Sequence, residues 1–224
     1  MKRVPQSRFE LWKRGIFDHR QQITLSLFFA ATAFVLSFLS GFYVERVGNS
    51  SPPDLILDYL PVVDLSILYV WLFMITLFVF ICYPLVYQPT RIHLMIGMLS
   101  LFTLVRSGFV VLTHLSMPAG AITPLTYSPA LYDLFSFTNY LFFAGHVGLP
   151  FLGFLLYTHN YRLRFFMLTS SIVLAFSALL MHRHYSIDVL SAYFITYGVY
   201  RIGNYVFGSH GLSSSLDKHR TLLR

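Results

Sequence analysis

The sequence predicts an all-α, polytopic membrane protein: a six-transmembrane-helix bundle with both termini cytoplasmic. Three observations predict it. Of the 224 residues, 56% are hydrophobic and only 11% are charged, roughly half the charge of a soluble domain. The mean hydropathy is +0.63, and the apolar residues fall into six runs, each close to the ~20 residues needed to cross a bilayer. The basic residues collect in alternate connectors between those runs, which is how membrane orientation is written. The net charge of +7 is therefore a topology signal and not a nucleic-acid surface.

Residues 1–21 carry Lys2, Arg3, Arg8, Lys13, Arg14 and Arg20, interleaved with Phe9, Leu11, Trp12, Ile16 and Phe17. They are read as a basic amphipathic cytoplasmic segment that lies on an anionic leaflet and also serves the positive-inside rule. A cleavable signal is not expected, because this segment lacks an apolar core. The first span covers 23–44 and holds no charge. The connector after it is acidic on balance, with Glu45, Arg46, Asp54, Asp58 and Asp64, and Pro52-Pro53 breaks any helix there. The second span covers 65–87, with Pro84 near its far end, and the Gln88-Pro89-Thr90-Arg91 turn follows. The third covers 92–115 and contains Arg106; a longer loop with Pro118, Gly120, Pro124, Pro129 and Asp133 comes next. The fourth covers 139–158 and contains His146. A connector with Arg162 and Arg164 leads to the fifth, 165–181. A turn over 182–187 leads to the sixth, 188–207, which holds Arg201 near its end. Lys218, Arg220 and Arg224 make 209–224 a basic cytoplasmic tail, so the six-span domain is 22–208. Cys82 is the only cysteine and sits in an apolar run, which leaves no intramolecular disulfide and makes it a small core residue.

The N-terminal segment, the Arg91 turn, the Arg162/Arg164 connector and the tail are basic, whereas the other three connectors hold the acids. That bias puts both termini in the cytoplasm. It also brings Arg106, His146, His184 and Asp188, far apart in sequence, to one depth at the outer leaflet. Each has two readings. Arg106 costs about 2.5–3.5 kcal/mol in hydrocarbon; it snorkels to the outer headgroups or meets a phosphate inside the bundle. His146 stands between Gly145 and Gly148, where small neighbours allow close backbone approach; it is a packing histidine or an active one. His184 and Asp188 are four apart, so on a common helix the carboxylate orients the imidazole. The plain alternative is a helix cap, with Ser186 at the N-cap and Asp188 complementing the dipole. Asp54 and Asp58 are solvated loop acids, or Asp54 touches a headgroup. His182 and His184, two apart, share no helix face and no cysteine or acid completes a set, so neither a metal nor another cofactor is expected.

Two histidines, an aspartate and an arginine at a membrane surface fit phosphoryl-group chemistry. The guanidinium neutralises phosphate oxygens. One histidine attacks phosphorus to give a phosphohistidine, and the other protonates the leaving oxygen and then deprotonates the acceptor. Water as acceptor makes a phosphatase; a lipid hydroxyl makes a transferase.

The stretch His182-Arg183-His184-Tyr185-Ser186-Ile187-Asp188-Val189, followed by Ala192-Tyr193-Phe194-Ile195-Thr196, resembles the last signature block of the sphingomyelin synthase family. Tyr140-Leu141-Phe142-Phe143-Ala144-Gly145-His146 resembles its preceding block, Arg91 through Arg106, Thr113 and Pro118 its third-span block, and Pro52-Pro53-Asp54 with Asp58-Tyr59 its first-loop block. The family belongs to the type 2 phosphatidic acid phosphatase superfamily, with a six-span core. The resemblance implies His184 as nucleophile, Asp188 as its orienting partner and His146 as acid/base. It implies transfer of a phospho-headgroup from a glycerophospholipid to ceramide, releasing diacylglycerol, without a metal; a related lipid alcohol such as diacylglycerol stays open as the acceptor. The chain departs from the pattern at Ala144 (a serine in the family), Asn139 (often an acid), Arg183 (acidic or small) and Ala178 (an arginine in the phosphatase branch). Candidate substrate contacts are Arg106, Tyr185, His182, Arg183, Asn139 and Asp54. The expected partners are a membrane phospholipid donor and a lipid acceptor, with no nucleic acid; a homo-oligomer stays open. The alternatives are a lipid phosphate phosphatase and a non-catalytic lipid-binding membrane protein.

Overall fold

The computed structural model describes residues 13, 16–47, 50–123 and 141–207. The described residues contain the helices α1 Arg20–Arg46, α2 Ser66–Tyr87, α3 Ile92–Thr113, α4 Gly145–Leu156, α5 Tyr161–Leu180 and α6 Ser186–Phe207. Short 3₁₀ turns at Leu57–Tyr59 and Pro89–Arg91 precede α2 and α3. Of the segment 1–21 read as amphipathic, only 13 and 16–21 are described, and the tail 209–224 lies outside the described residues.

Among the described residues four helical segments are long and apolar enough to cross a membrane: Arg20–Arg46, Ser66–Tyr87, Pro89–Thr113 and Tyr161–Leu180. Their outward faces are apolar, with Phe28, Phe78 and Phe176 each about two-thirds exposed. Helices that stay apolar outside as well as inside belong in lipid. The other two helices differ from the expected spans. α4 has 12 residues, too few to cross by itself. α6 has 22, but Asp188, Ser191, Thr196, Asn204, Arg201 and its tyrosines make it more polar.

α4 forms the centre. It packs against α5, α6 and α2, while α3 lies against α6 and carries α1 on its other side. Val147, Leu149, Leu152 and Leu156 are buried. Gly148 and Gly153 let the neighbours approach: a methyl at Gly148 would come 2.7 Å from Thr196 Oγ1, and one at Gly153 2.8 Å from Met167 Sδ. Two glycines five apart thus trade helix propensity for close packing.

The connectors α1–α2, α3–α4 and α5–α6 meet at one end. Ser50 N donates to His114 O and Ser116 N to Ser50 O, Val63 N donates to Leu180 O, and Ile122 N to Met181 O. At the opposite end Asn160 caps α5, its Oδ1 accepting from Leu163 N at 3.2 Å, and its Nδ2 donates to Tyr83 OH. There Tyr157 OH also donates to Phe80 O at 2.6 Å.

Candidate active site

The site grows from the way α5 ends and α6 begins. α5 stops in a Schellman turn: His182 N donates to Leu179 O and Arg183 N to Ala178 O. His182 takes the left-handed position of that turn, with φ 53°, a conformation that histidine tolerates better than most non-glycine residues. The chain then leaves helical geometry for residues 183–185 and re-enters at Ser186. His184 is therefore not on the α6 face. It is folded back over the first turn, and its Nδ1 lies 3.5 Å from Asp188 Oδ2. The same oxygen accepts from Tyr185 N at 3.1 Å, so Asp188 reaches back to the N-cap residue as the third residue of a capping box does. Both readings of Asp188 hold geometrically: it caps the helix and it faces the imidazole. At 3.5 Å the pair is longer than a well-formed hydrogen bond. Neither His184 Nδ1 nor Asp188 Oδ1 has a hydrogen-bonding partner.

His146 enters from the first turn of α4. Ala144 N donates to Asp188 O at 3.2 Å, which ties the start of α4 to α6. The two imidazoles end with centroids 6.4 Å apart. On its other side His146 packs on Tyr69 and Phe73 of α2, at 4.9 and 4.3 Å between centroids. Arg106 reaches in from α3, its Nε donating to Phe143 O at 3.0 Å. It passes so close to Gly145 that an added Cβ would lie 2.8 Å from Nε. Glycine just before His146 thus makes room for the guanidinium. Arg183 is 8% exposed; its Nη1 faces Met117 Sδ at 3.9 Å and its Nε has no hydrogen-bonding partner. Burial pushes the pKa of His184 down, Asp188 pulls it up, and the positive charges of Arg106 and Arg183 push it down again, with a net lowering. The net lowering favours the neutral imidazole, whose Nδ1 faces the carboxylate.

The remaining candidates are placed differently. Asp54 bridges two connectors: Ser186 N (2.6 Å) and Ser186 Oγ (2.9 Å to each oxygen) donate to it, as do Ile56 N and Leu57 N. It supplies the cap of α6 from 132 residues away. Tyr185 OH donates to Ser116 O and meets Ser51 Oγ. The His182 ring lies between two carbonyls, Nδ1 3.1 Å from Ala119 O and Nε2 3.3 Å from Leu60 O. These three side chains fasten the connectors that carry the site. Asn139 lies outside the described residues. Among the described residues no group of three or more His, Cys, Asp or Glu side chains gathers to hold a metal. Tyr69, Phe73 and the Phe143 carbonyl were not singled out by sequence reasoning. Nothing distinguishes them there, because aromatic residues crowd every apolar run.

Burial opposes the charge on Asp54, but the hydrogen bonds from Ser186, Leu57 and Ile56 outweigh it and hold the carboxyl below its usual value. The folded state thus gains from the ionised form. That gain is complete above the ordinary carboxylate range and is lost as pH falls through the lowered value. We expect Asp54→Ala to cost about 1–2 kcal/mol. Thermal unfolding in detergent should show a lower Tm near neutrality, with the wild-type and variant curves converging in acid. Curves that stay parallel across pH would contradict the cap.

Comparison of the chain with protein-family models, curated proteins and solved structures finds no match.

Proposed function

We propose that the chain is an integral membrane lipid phosphotransferase working through a phosphohistidine. The observation that carries this is the pair of imidazoles 6.4 Å apart, one backed by a carboxylate at 3.5 Å and both beside guanidiniums. His184 Nε2 attacks phosphorus, and the bond from phosphorus to the diacylglycerol oxygen breaks. Protonated His146 gives its proton to that oxygen, and diacylglycerol leaves. The acceptor hydroxyl then gives its proton to His146 and its oxygen attacks phosphorus. The N–P bond breaks, and its electron pair returns to His184. Arg106 and Arg183 balance the charge on the phosphoryl oxygens.

A lipid alcohol suits this site better than water. His184 is 4% exposed, and His146 is walled by Tyr69 and Phe73. In our reading α4 and α6 complete six spans, with both termini on the cytoplasmic side and the site on the other. Two features support that orientation. The connectors α1–α2, α3–α4 and α5–α6 gather at the end with the histidines, and Arg91, Arg162 and Arg164 fall in the alternate connectors.

The test is the purified protein in liposomes with a fluorescent ceramide or diacylglycerol and a panel of glycerophospholipids. The expected result is a new fluorescent phospholipid whose formation needs His184. Phosphate released from phosphatidic acid without a lipid product would make the enzyme a phosphatase. Silence in both, from folded protein, would leave a lipid-binding protein.

A further inference from the structure

One strong charge at the site has no ionic partner among the described residues. Arg183 is the residue next to His184, and it is more than nine-tenths buried. Buried guanidiniums are ordinarily paired, because an uncompensated buried charge is costly. Arg183 has no carboxylate within ion-pairing distance among the described residues; its Nη1 faces the Met117 sulfur and its own Nε has no hydrogen-bonding partner. The two nearest acids by sequence and contact are engaged elsewhere. Asp188 serves Tyr185 N and faces His184, and Asp54 is held by Ser186, Ile56 and Leu57.

A zwitterionic headgroup would fit such a site badly. Its phosphate would meet Arg183, but its ammonium would be left in the same positive field, where the nearby carboxylates among the described residues, Asp188 and Asp54, are already engaged. The other common recognition of a quaternary ammonium is an aromatic cage. The rings nearest the chemistry, Tyr69 and Phe73, already have His146 packed against them at 4.9 and 4.3 Å. Resting on the phosphotransferase reading, we infer that Arg183 selects a donor phospholipid with net negative charge, a phosphodiester whose headgroup is an uncharged polyol, over phosphatidylcholine and phosphatidylethanolamine. Arg183 acts through its buried positive charge, which favours a donor of net negative charge and disfavours an ammonium headgroup. The transferred group then carries hydroxyls and no ammonium.

The experiment compares phosphatidylglycerol, phosphatidylinositol, phosphatidylcholine and phosphatidylethanolamine as donors in otherwise identical neutral liposomes. Wild type, Arg183→Lys, Arg183→Gln and His184→Ala are run side by side. The wild type is expected to favour phosphatidylglycerol or phosphatidylinositol over phosphatidylcholine by about tenfold or more in kcat/KM, the scale of one charge-assisted contact. Arg183→Gln should reduce that ratio towards one, chiefly through the KM for the anionic donor, and Arg183→Lys should keep most of it. Equal or better His184-dependent turnover of phosphatidylcholine by the wild type overturns the headgroup assignment and leaves the phosphotransferase standing. So does a preference that survives in Arg183→Gln. No His184-dependent turnover of any donor overturns both. Should Arg183→Gln fail to fold, the wild-type donor panel and Arg183→Lys decide the matter.

Discussion

Replacing His184 with alanine is expected to lower turnover by about 10⁴-fold, the scale seen when a catalytic side chain is removed from a unit whose parts act together. In the proposed reaction His184 makes the attack, since it both faces Asp188 and stands opposite His146. The variant should still fold. His184 makes no hydrogen bond at Nδ1, whereas the turn that positions it is held by backbone bonds of His182, Arg183 and Tyr185. Its loss leaves a small cavity that costs an estimated 1–3 kcal/mol, with large-to-small core changes as the guide. The measurement is single-turnover headgroup release beside thermal unfolding, with an acid-sensitive phosphoenzyme trapped from labelled donor. The label should appear in wild type and be absent from His184→Ala. Label or turnover persisting in that variant would remove His184 as nucleophile.

Asp188→Asn is expected to cost about 10²–10³-fold in turnover with little loss of stability. The amide oxygen can still accept from Tyr185 N, so the start of α6 is kept. What goes is the negative charge that faces the imidazole. Asp188→Ala should lose both, with a further ~1 kcal/mol from the missing capping contact. The pH dependence gives an independent sign. Asp188 pulls the pKa of His184 up against burial. Removing its charge lets the pKa fall further, so the neutral, nucleophilic imidazole survives to lower pH. The acid limb of kcat/KM should therefore move in the acid direction in Asp188→Asn. A shift the other way, or a large drop in Tm with unchanged turnover, would make Asp188 a cap and nothing more.

Much of the helix pattern was legible in the chain. The runs 65–87 and 92–115 correspond to Ser66–Tyr87 and Ile92–Thr113 almost residue for residue, because an uncharged apolar run bounded by proline, glutamine or arginine has few other ways to satisfy its backbone in lipid. The ends were read less well where polar residues continue a helix. α1 runs on to Glu45 and Arg46. α5 starts at Tyr161 and carries Arg162 and Arg164 in its first turn, since Asn160 caps it there. The fourth run, 139–158, is helical from Gly145 to Leu156 among the described residues. Tyr157 and Asn160 turn the chain there through contacts with Phe80 and Tyr83 of α2, which no local pattern announces.

The candidate site divides in the same way. That a histidine four before an aspartate would face it, and that Arg106 and His146 would come to the same end, followed from spacing and from the alternation of basic connectors. These are local or one-dimensional signals: a helix period, a charge count, a span length. The sequence could not show that His184 reaches Asp188 from a turn outside the helix, that Asp54 caps α6 across 132 residues, or that His182 sits between the carbonyls of Leu60 and Ala119. Nor could it show that Arg183 stays buried without a described carboxylate partner. Those are hydrogen bonds and packing contacts between connectors distant in the chain. Their partners are chosen by the loops' three-dimensional meeting, and the free energy that selects them exists only once the helices have packed. Composition and periodicity determine that this chain forms apolar helices and which polar residues lie near their ends; tertiary packing decides which of those polar residues face one another and which fasten the connectors.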